Sequence, residues 1–128
     1  MPEPTILIVE DEAELAYSLR QALQGRGYRS QTAVNGFEAL EILQTTPPAA
    51  VILDLNLPGV SGLELLQRIR RLAPQSRILV VTAHVQEYGR LVDQLGVAEV
   101  LQKPVTLDVL LERITHLVPT PVPPDVGS

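Results

Sequence analysis

At 128 residues, 45% hydrophobic and 20% charged, the chain has the material for one folded domain with a sizeable core rather than a disordered segment. A net charge of −5 with no long basic run speaks against direct nucleic-acid binding, and the lack of cysteine excludes disulfides and thiolate metal sites. No apolar run approaches the roughly 20 residues of a membrane span, and no basic-then-apolar leader opens the chain, so the expectation is a cytoplasmic protein without membrane contact.

Thr5-Ile6-Leu7-Ile8-Val9 is continuous and β-branched, the pattern of a strand buried on both faces. It ends in Glu10-Asp11-Glu12. Leu15, Leu19, Ala22 and Leu23 then recur at helical spacing from Ala13 to Gln24. Asp11 and Glu12 suit the positive end of that helix, and Gly25 and Gly27 stop it. Tyr28 to Val34 alternates enough for a shorter strand nearer a sheet edge. Asn35-Gly36 reads as a turn, and Phe37 to Leu43 as a helix with Leu40 and Leu43 inward. Val51-Ile52-Leu53 is too short for a helix and bounded by Pro47-Pro48 and Pro58-Gly59, hence a central parallel strand ending in Asp54.

Ser61 with Glu64 three residues on has capping-box spacing, and Leu63, Leu66 and Ile69 are expected to face inward before Pro74 ends the helix. Ile78 to Val81 is another buried strand, ending in Thr82-Ala83-His84. Gln86 to Leu95 reads as a weaker helix broken by Gly89, with Gly96 as its stop. Glu99 to Gln102 is the last strand, followed by Lys103-Pro104. Leu107, Leu110, Leu111, Ile114 and Leu117 make an amphipathic helix. Pro119, Pro121, Pro123 and Pro124 stiffen the tail into an extended form. Strand and helix alternate five times, which with right-handed crossovers predicts a doubly wound α/β fold with five parallel strands and five helices.

Open sheets of this kind bind ligands at the carboxyl ends of their strands. Those ends here carry Glu10-Asp11, Asp54, Thr82 and Lys103. Taken singly, an aspartate at a strand end is most often a turn former, an acid cluster a helix start, and a lysine a solvated charge. Their joint placement is the signal. Acids gathered at one point repel unless a cation joins them, and an oxygen-only set favours a hard ion, Mg²⁺ above all, with Mn²⁺ as a second candidate. Lys103 is the only lysine among ten basic residues, fixed after an apolar strand by Pro104. A carboxylate, a divalent ion, an ammonium and a hydroxyl are the parts for phosphoryl transfer to Asp54.

With these motifs in place, the chain resembles the receiver domain of two-component response regulators. Ile-Leu-Ile-Val-Glu10-Asp11-Glu12, Asp54-Leu-Asn-Leu-Pro58-Gly-Val-Ser-Gly62, Val-Val-Thr82-Ala83 and Lys103-Pro104 carry the resemblance. It implies a flavodoxin-like sheet of order 2-1-3-4-5 and a receiver domain over residues 1–118, with 119–128 as a Pro-rich tail or linker. By the same resemblance Asp54 is the phosphoacceptor, charged by a histidine kinase or phosphotransfer protein. Asp11, Asp54 and the Asn56 backbone carbonyl hold Mg²⁺, with Glu10 acting through water. Lys103 and Thr82 hold the phosphoryl oxygens, and the Lys103–Pro104 bond is cis. The domain catalyses only its own phosphorylation and dephosphorylation and switches a downstream protein partner or output module.

Three departures from the family pattern stand out. Glu10 replaces the commoner aspartate, Leu57 the usual methionine, and Val100 an aromatic residue whose ring normally turns as the threonine moves. Valine cannot report in that way, so the switch is expected in the Thr82 loop and the Gly89 helix. His84, two residues past Thr82, lies where the family tunes acyl-phosphate lifetime, as does Asn56, although a plain loop residue is the simpler reading. His116 suits the C-terminal end of the last helix. Other readings are a receiver-derived interaction module that needs no phosphate, a haloacid-dehalogenase-type phosphohydrolase and a flavodoxin-like FMN binder. Asn56 stands where a phosphohydrolase would carry its second Asp, and Glu10-Asp11-Glu12 would repel an FMN phosphate.

Overall fold

The computed structural model describes residues 3–57 and 61–120, apart from the side chains of Leu91 and Val92. Chain order is β1 (Thr5–Val9), α1 (Ala13–Gln24), β2 (Arg29–Ala33), α2 (Gly36–Thr45), β3 (Ala50–Asp54), α3 (Gly62–Leu72), β4 (Arg77–Thr82), α4 (Val85–Gln94), β5 (Glu99–Gln102) and α5 (Leu107–Leu117). All five strands pair in parallel, in the order β2-β1-β3-β4-β5. The most apolar runs fall on the inner strands. β3 is buried at every position, whereas edge strand β2 alternates and is fully buried only at Ala33.

Strand pleating sends successive side chains to opposite faces, and this divides the core in two. Leu7, Val9, Val51, Leu53, Ile78 and Val80 meet Ala39 and Leu43 of α2 and Leu65, Leu66 and Ile69 of α3. Ile6, Ile8, Ala50, Ile52, Leu79 and Val81 meet Ala16, Leu19 and Leu23 of α1 and Leu110, Leu111 and Ile114 of α5. Tyr28, at the turn into β2, belongs to this second cluster, and its hydroxyl donates to the Val118 carbonyl at the end of α5.

Four local expectations are corrected or extended. Ser61 occupies the α3 N-cap but makes no side-chain cap bond; its backbone lies at φ −57°, ψ 133°, and Glu64 instead pairs with Arg68 one turn on at 3.0 Å. Leu65, which the spacing did not single out, joins Leu66 and Ile69 on the buried face of α3, while Leu63 packs half-buried against the same core as expected. α4 runs unbroken through Gly89, because one helical glycine costs only about 1 kcal/mol and Tyr88 of α4 is anchored on the core. Asn35 does more than turn the chain. Its Oδ1 accepts from the Glu38 N–H at 2.9 Å, capping an α2 that starts at Gly36. Pro58-Gly59 and the prolines at 121, 123 and 124 lie outside the described residues.

Candidate functional site

The register places the charged strand ends together. Val9 is level with Leu53, Asp54 with Val81, and Thr82 with Gln102, so the residues that follow β1, β3, β4 and β5 emerge at one edge of the sheet. Asp54 is buried to 2% exposure at the end of the best-shielded strand. Both its oxygens are engaged. Oδ1 accepts from the Asn56 N–H at 2.8 Å, and Oδ2 accepts from Lys103 Nζ at 2.7 Å. Lys103 is carried there by β5, its own N–H donating to the Thr82 carbonyl, and its peptide bond to Pro104 is cis as the resemblance implied.

Glu10 is also buried, its Oε2 accepting from the Glu12 N–H at 3.2 Å. One carboxylate oxygen from each of Glu10, Asp11 and Asp54 lies within 4.8 Å of the others. The set fits a hard divalent cation: oxygen donors only, two of the three residues shielded from water, and one ammonium for three acids. Burial drives the Glu10 carboxyl up from 4.5 to about 7, with the charges of Asp54 and Asp11 adding to the rise against the Glu12 N–H and Lys103. Burial pulls the Lys103 ammonium down, but its hydrogen bond to Asp54 and the charges of Asp54, Glu10 and Asp11 outweigh it, so it is raised.

Thr82 is fully buried, its Oγ1 accepting from the His84 N–H at 3.1 Å. The Asn56 side chain joins the two loops: its Oδ1 accepts from Thr82 Oγ1 and from the Ala83 N–H, each at 3.4 Å. The sequence does not foresee this amide contact, although the resemblance gives Asn56 both a backbone carbonyl for the metal and a place among the positions that tune acyl-phosphate lifetime. The available signal was its position two residues past Asp54 in a turn, where Asn often bonds to nearby backbone. Val100 is half-buried and packs on the core cluster shared with Tyr88 of α4. His84 is exposed beside the site, and His116 is exposed in the last turn of α5, away from it.

A doubly wound α/β sheet with a lysine-closed acidic pocket at its carboxyl edge defines a class of small signalling domains. The model of the response regulator receiver domain family matches residues 6–115, and the chain belongs to that family. Response regulator MprA of Mycolicibacterium vanbaalenii is 35% identical over 121 residues, covering 94% of this chain and 52% of that protein. The chain thus spans about half the length of the curated relatives it matches.

Among solved structures, a CheY-like receiver domain protein from Methanospirillum hungatei JF-1 superposes with a TM-score of 0.83 at 29% identity, covering 89% of this chain and 92% of that one. The response regulator TrrA from Thermotoga maritima, in complex with Mg(2+)-BeF, does so at 0.76 with 34% identity, covering 90% and 99%. Phosphorylation on aspartate is characteristic of the family, which works in two-component signalling. The expected fold and its strand order stand, and the match favours the receiver reading over the phosphohydrolase and FMN-binding alternatives.

Proposed function

We propose that Asp54 is the phosphoacceptor of this receiver and that Glu10, Asp11, Asp54 and the Asn56 backbone carbonyl surround a Mg²⁺ ion, Glu10 through water. The observation that carries the reading is the buried Asp54 carboxylate, held 2.7 Å from Lys103 Nζ and within 4.8 Å of two further acids. When bound, the ion supplies positive charge to phosphoryl oxygens and to the crowded carboxylates. Asp54 attacks phosphorus: an Oδ–P bond forms, the bond from phosphorus to the donor breaks, and the donor leaves with the electron pair. Lys103 gives its ammonium to the incoming oxyanion, and Thr82 its hydroxyl once freed from Asn56. Water then attacks the same phosphorus: a new O–P bond forms, the Oδ–P bond breaks, phosphate leaves and the carboxylate is restored.

The donor is a histidine kinase or phosphotransfer protein in the cytoplasm, and the domain has no turnover beyond its own phosphorylation and dephosphorylation. Residues 1–118 act as the receiver and 119–128 as its tail or linker. Thr82 is the moving part of the switch, with Val100 giving no ring rotation. A downstream protein or an output domain reads the change. Mn²⁺ serves in place of Mg²⁺.

Intact mass after incubation with acetyl phosphate and Mg²⁺ tests this. One monophosphate adduct on the native chain and none on Asp54→Asn is the expected result. An adduct on both moves the acceptor elsewhere. An adduct on neither, with a histidine-kinase phosphodonor also failing, turns the reading to an interaction module that needs no phosphate.

A further inference from the structure

A cavity of about 530 Å³ opens beneath the acidic site, between α1 and α5. Its floor is apolar, made by Ile8, Leu19, Ile52, Val81, Val105 and Leu110. The β5–α5 connection lines the cavity with Lys103, Pro104 and Val105, and Val105 brings a short apolar side chain to it. The volume is that of a small-molecule pocket, and such pockets pair an apolar body with a few convergent polar groups.

The polar groups sit at one end: Glu10, Glu12, Asp54 and Lys103. The Lys103 ammonium is already matched by Asp54 at 2.7 Å. Glu10 and Glu12 have no ion-pair partner among the described residues. An anionic head would meet three carboxylates and one committed ammonium; a cationic head meets the opposite balance.

We propose that this cavity binds a small organic cation, an ammonium, amidinium or guanidinium group carried on an apolar body. The body fills the space over Leu19, Val105 and Leu110, and the head rests against Glu10 and Asp54. Those two carboxylates also belong to the acidic triad, so the organic cation and a divalent ion compete. The regulatory consequence rests on the phosphoacceptor reading above: occupancy holds the domain unphosphorylated. The binding itself does not depend on that reading.

The probes are benzamidine, benzamide and benzoate, matched in shape and differing in charge, with methylguanidinium as the head without a body. Each is titrated into the full ¹⁵N-labelled chain free of divalent ions, with amide shifts and intermolecular contacts recorded. Benzamidine is expected to saturate, to contact the methyls of Ile8, Val105 and Leu110, and to bind at least about tenfold more tightly than the other three. Mg²⁺ should weaken it, and Val105→Phe, which fills the cavity, should weaken it at least about tenfold while leaving the circular dichroism unchanged.

Equal binding of benzamidine and benzoate, contacts elsewhere on the surface, or full affinity in a folded Val105→Phe overturns the proposal. If that variant does not fold, the intermolecular contacts in the native chain decide. Phosphorylation by acetyl phosphate with no amine present is scored separately, so a failure of this inference is distinguishable from a failure of the phosphoacceptor assignment.

Discussion

Glu10 shows how a single side chain can be poised against the stability of its own fold. Its carboxyl has moved from 4.5 to about 7 because burial penalises the charged form, with Asp54 and Asp11 adding repulsion. Between those two values the folded chain holds a proton that the unfolded chain has released. Stability therefore decreases with rising pH in that window. The contribution is fully present below about 4.5 and lost as pH climbs through about 7. Urea unfolding of the metal-free protein across this range should show the decline. Glu10→Gln keeps the shape without the ionisation, so its decline should be shallower and it should be more stable than the native chain above the window, by about 1–3 kcal/mol. Parallel pH profiles for the two proteins would remove Glu10 as the cause. Asp54 is held by geometry, with Lys103 Nζ and the Asn56 N–H each serving one of its two oxygens. Replacing it by Asn should abolish phosphorylation while leaving far-UV circular dichroism intact, read by mass and by spectrum.

Two glycines on different helices separate space from propensity. A Cβ on Gly62, at the start of α3, would stand 2.5 Å from the Leu55 carbonyl oxygen and 2.9 Å from the Leu55 Cα, both backbone atoms with little room to yield. Gly62→Ala should cost about 1–3 kcal/mol and loosen the loop that carries Asn56. A Cβ on Gly89, within α4, meets nothing within 4 Å. Gly89→Ala should stabilise by about 0.5–1 kcal/mol through helix propensity alone. Thermal midpoints of the two variants, moving in opposite directions, would check both. These same elements show what sequence could and could not reveal. β1, β3 and β4 were legible because strands buried on both faces must be continuous apolar runs. Asp54 was legible because a charged residue closes such a run, and Lys103 because the chain's single lysine directly follows the last strand. The failed cap at Ser61 was not, since spacing says nothing of the backbone angle at which a loop enters a helix. Strand order came with the resemblance, as periodicity carries no information about which strand neighbours which. The cavity over Val105 was hidden because a void belongs to no single residue: α1, α5 and three strands define it together.

At the scale of the whole molecule, the site ties together segments that are far apart along the chain. Glu10 and Asp11 follow β1, Asp54 ends β3, and Lys103 follows β5, so their common anchor is the folded sheet. Without a divalent ion, three acids face one ammonium at that edge, and their repulsion opposes closure of β1 on β3. A ligand that needs all three strand ends in place binds the folded chain and not the unfolded one, so it must raise the stability of the entire cooperative unit. At a Mg²⁺ concentration one hundred times its dissociation constant the gain should be about 2.7 kcal/mol. Chelation should remove it. Asp11→Asn should abolish most of the Mg²⁺-dependent gain yet leave the metal-free protein no less stable, because an exposed carboxylate in a repulsive cluster contributes nothing favourable without the ion. The same charge balance ties this expectation to the pH window of Glu10. A cation beside that carboxyl lowers the cost of ionising it, so saturating Mg²⁺ should flatten the decline in stability between about 4.5 and about 7. Urea unfolding with and without Mg²⁺ at both ends of the window measures the two effects at once. A Mg²⁺ gain that Asp11→Asn leaves intact, or a slope unchanged by the ion, would place the divalent cation somewhere other than this edge of the sheet.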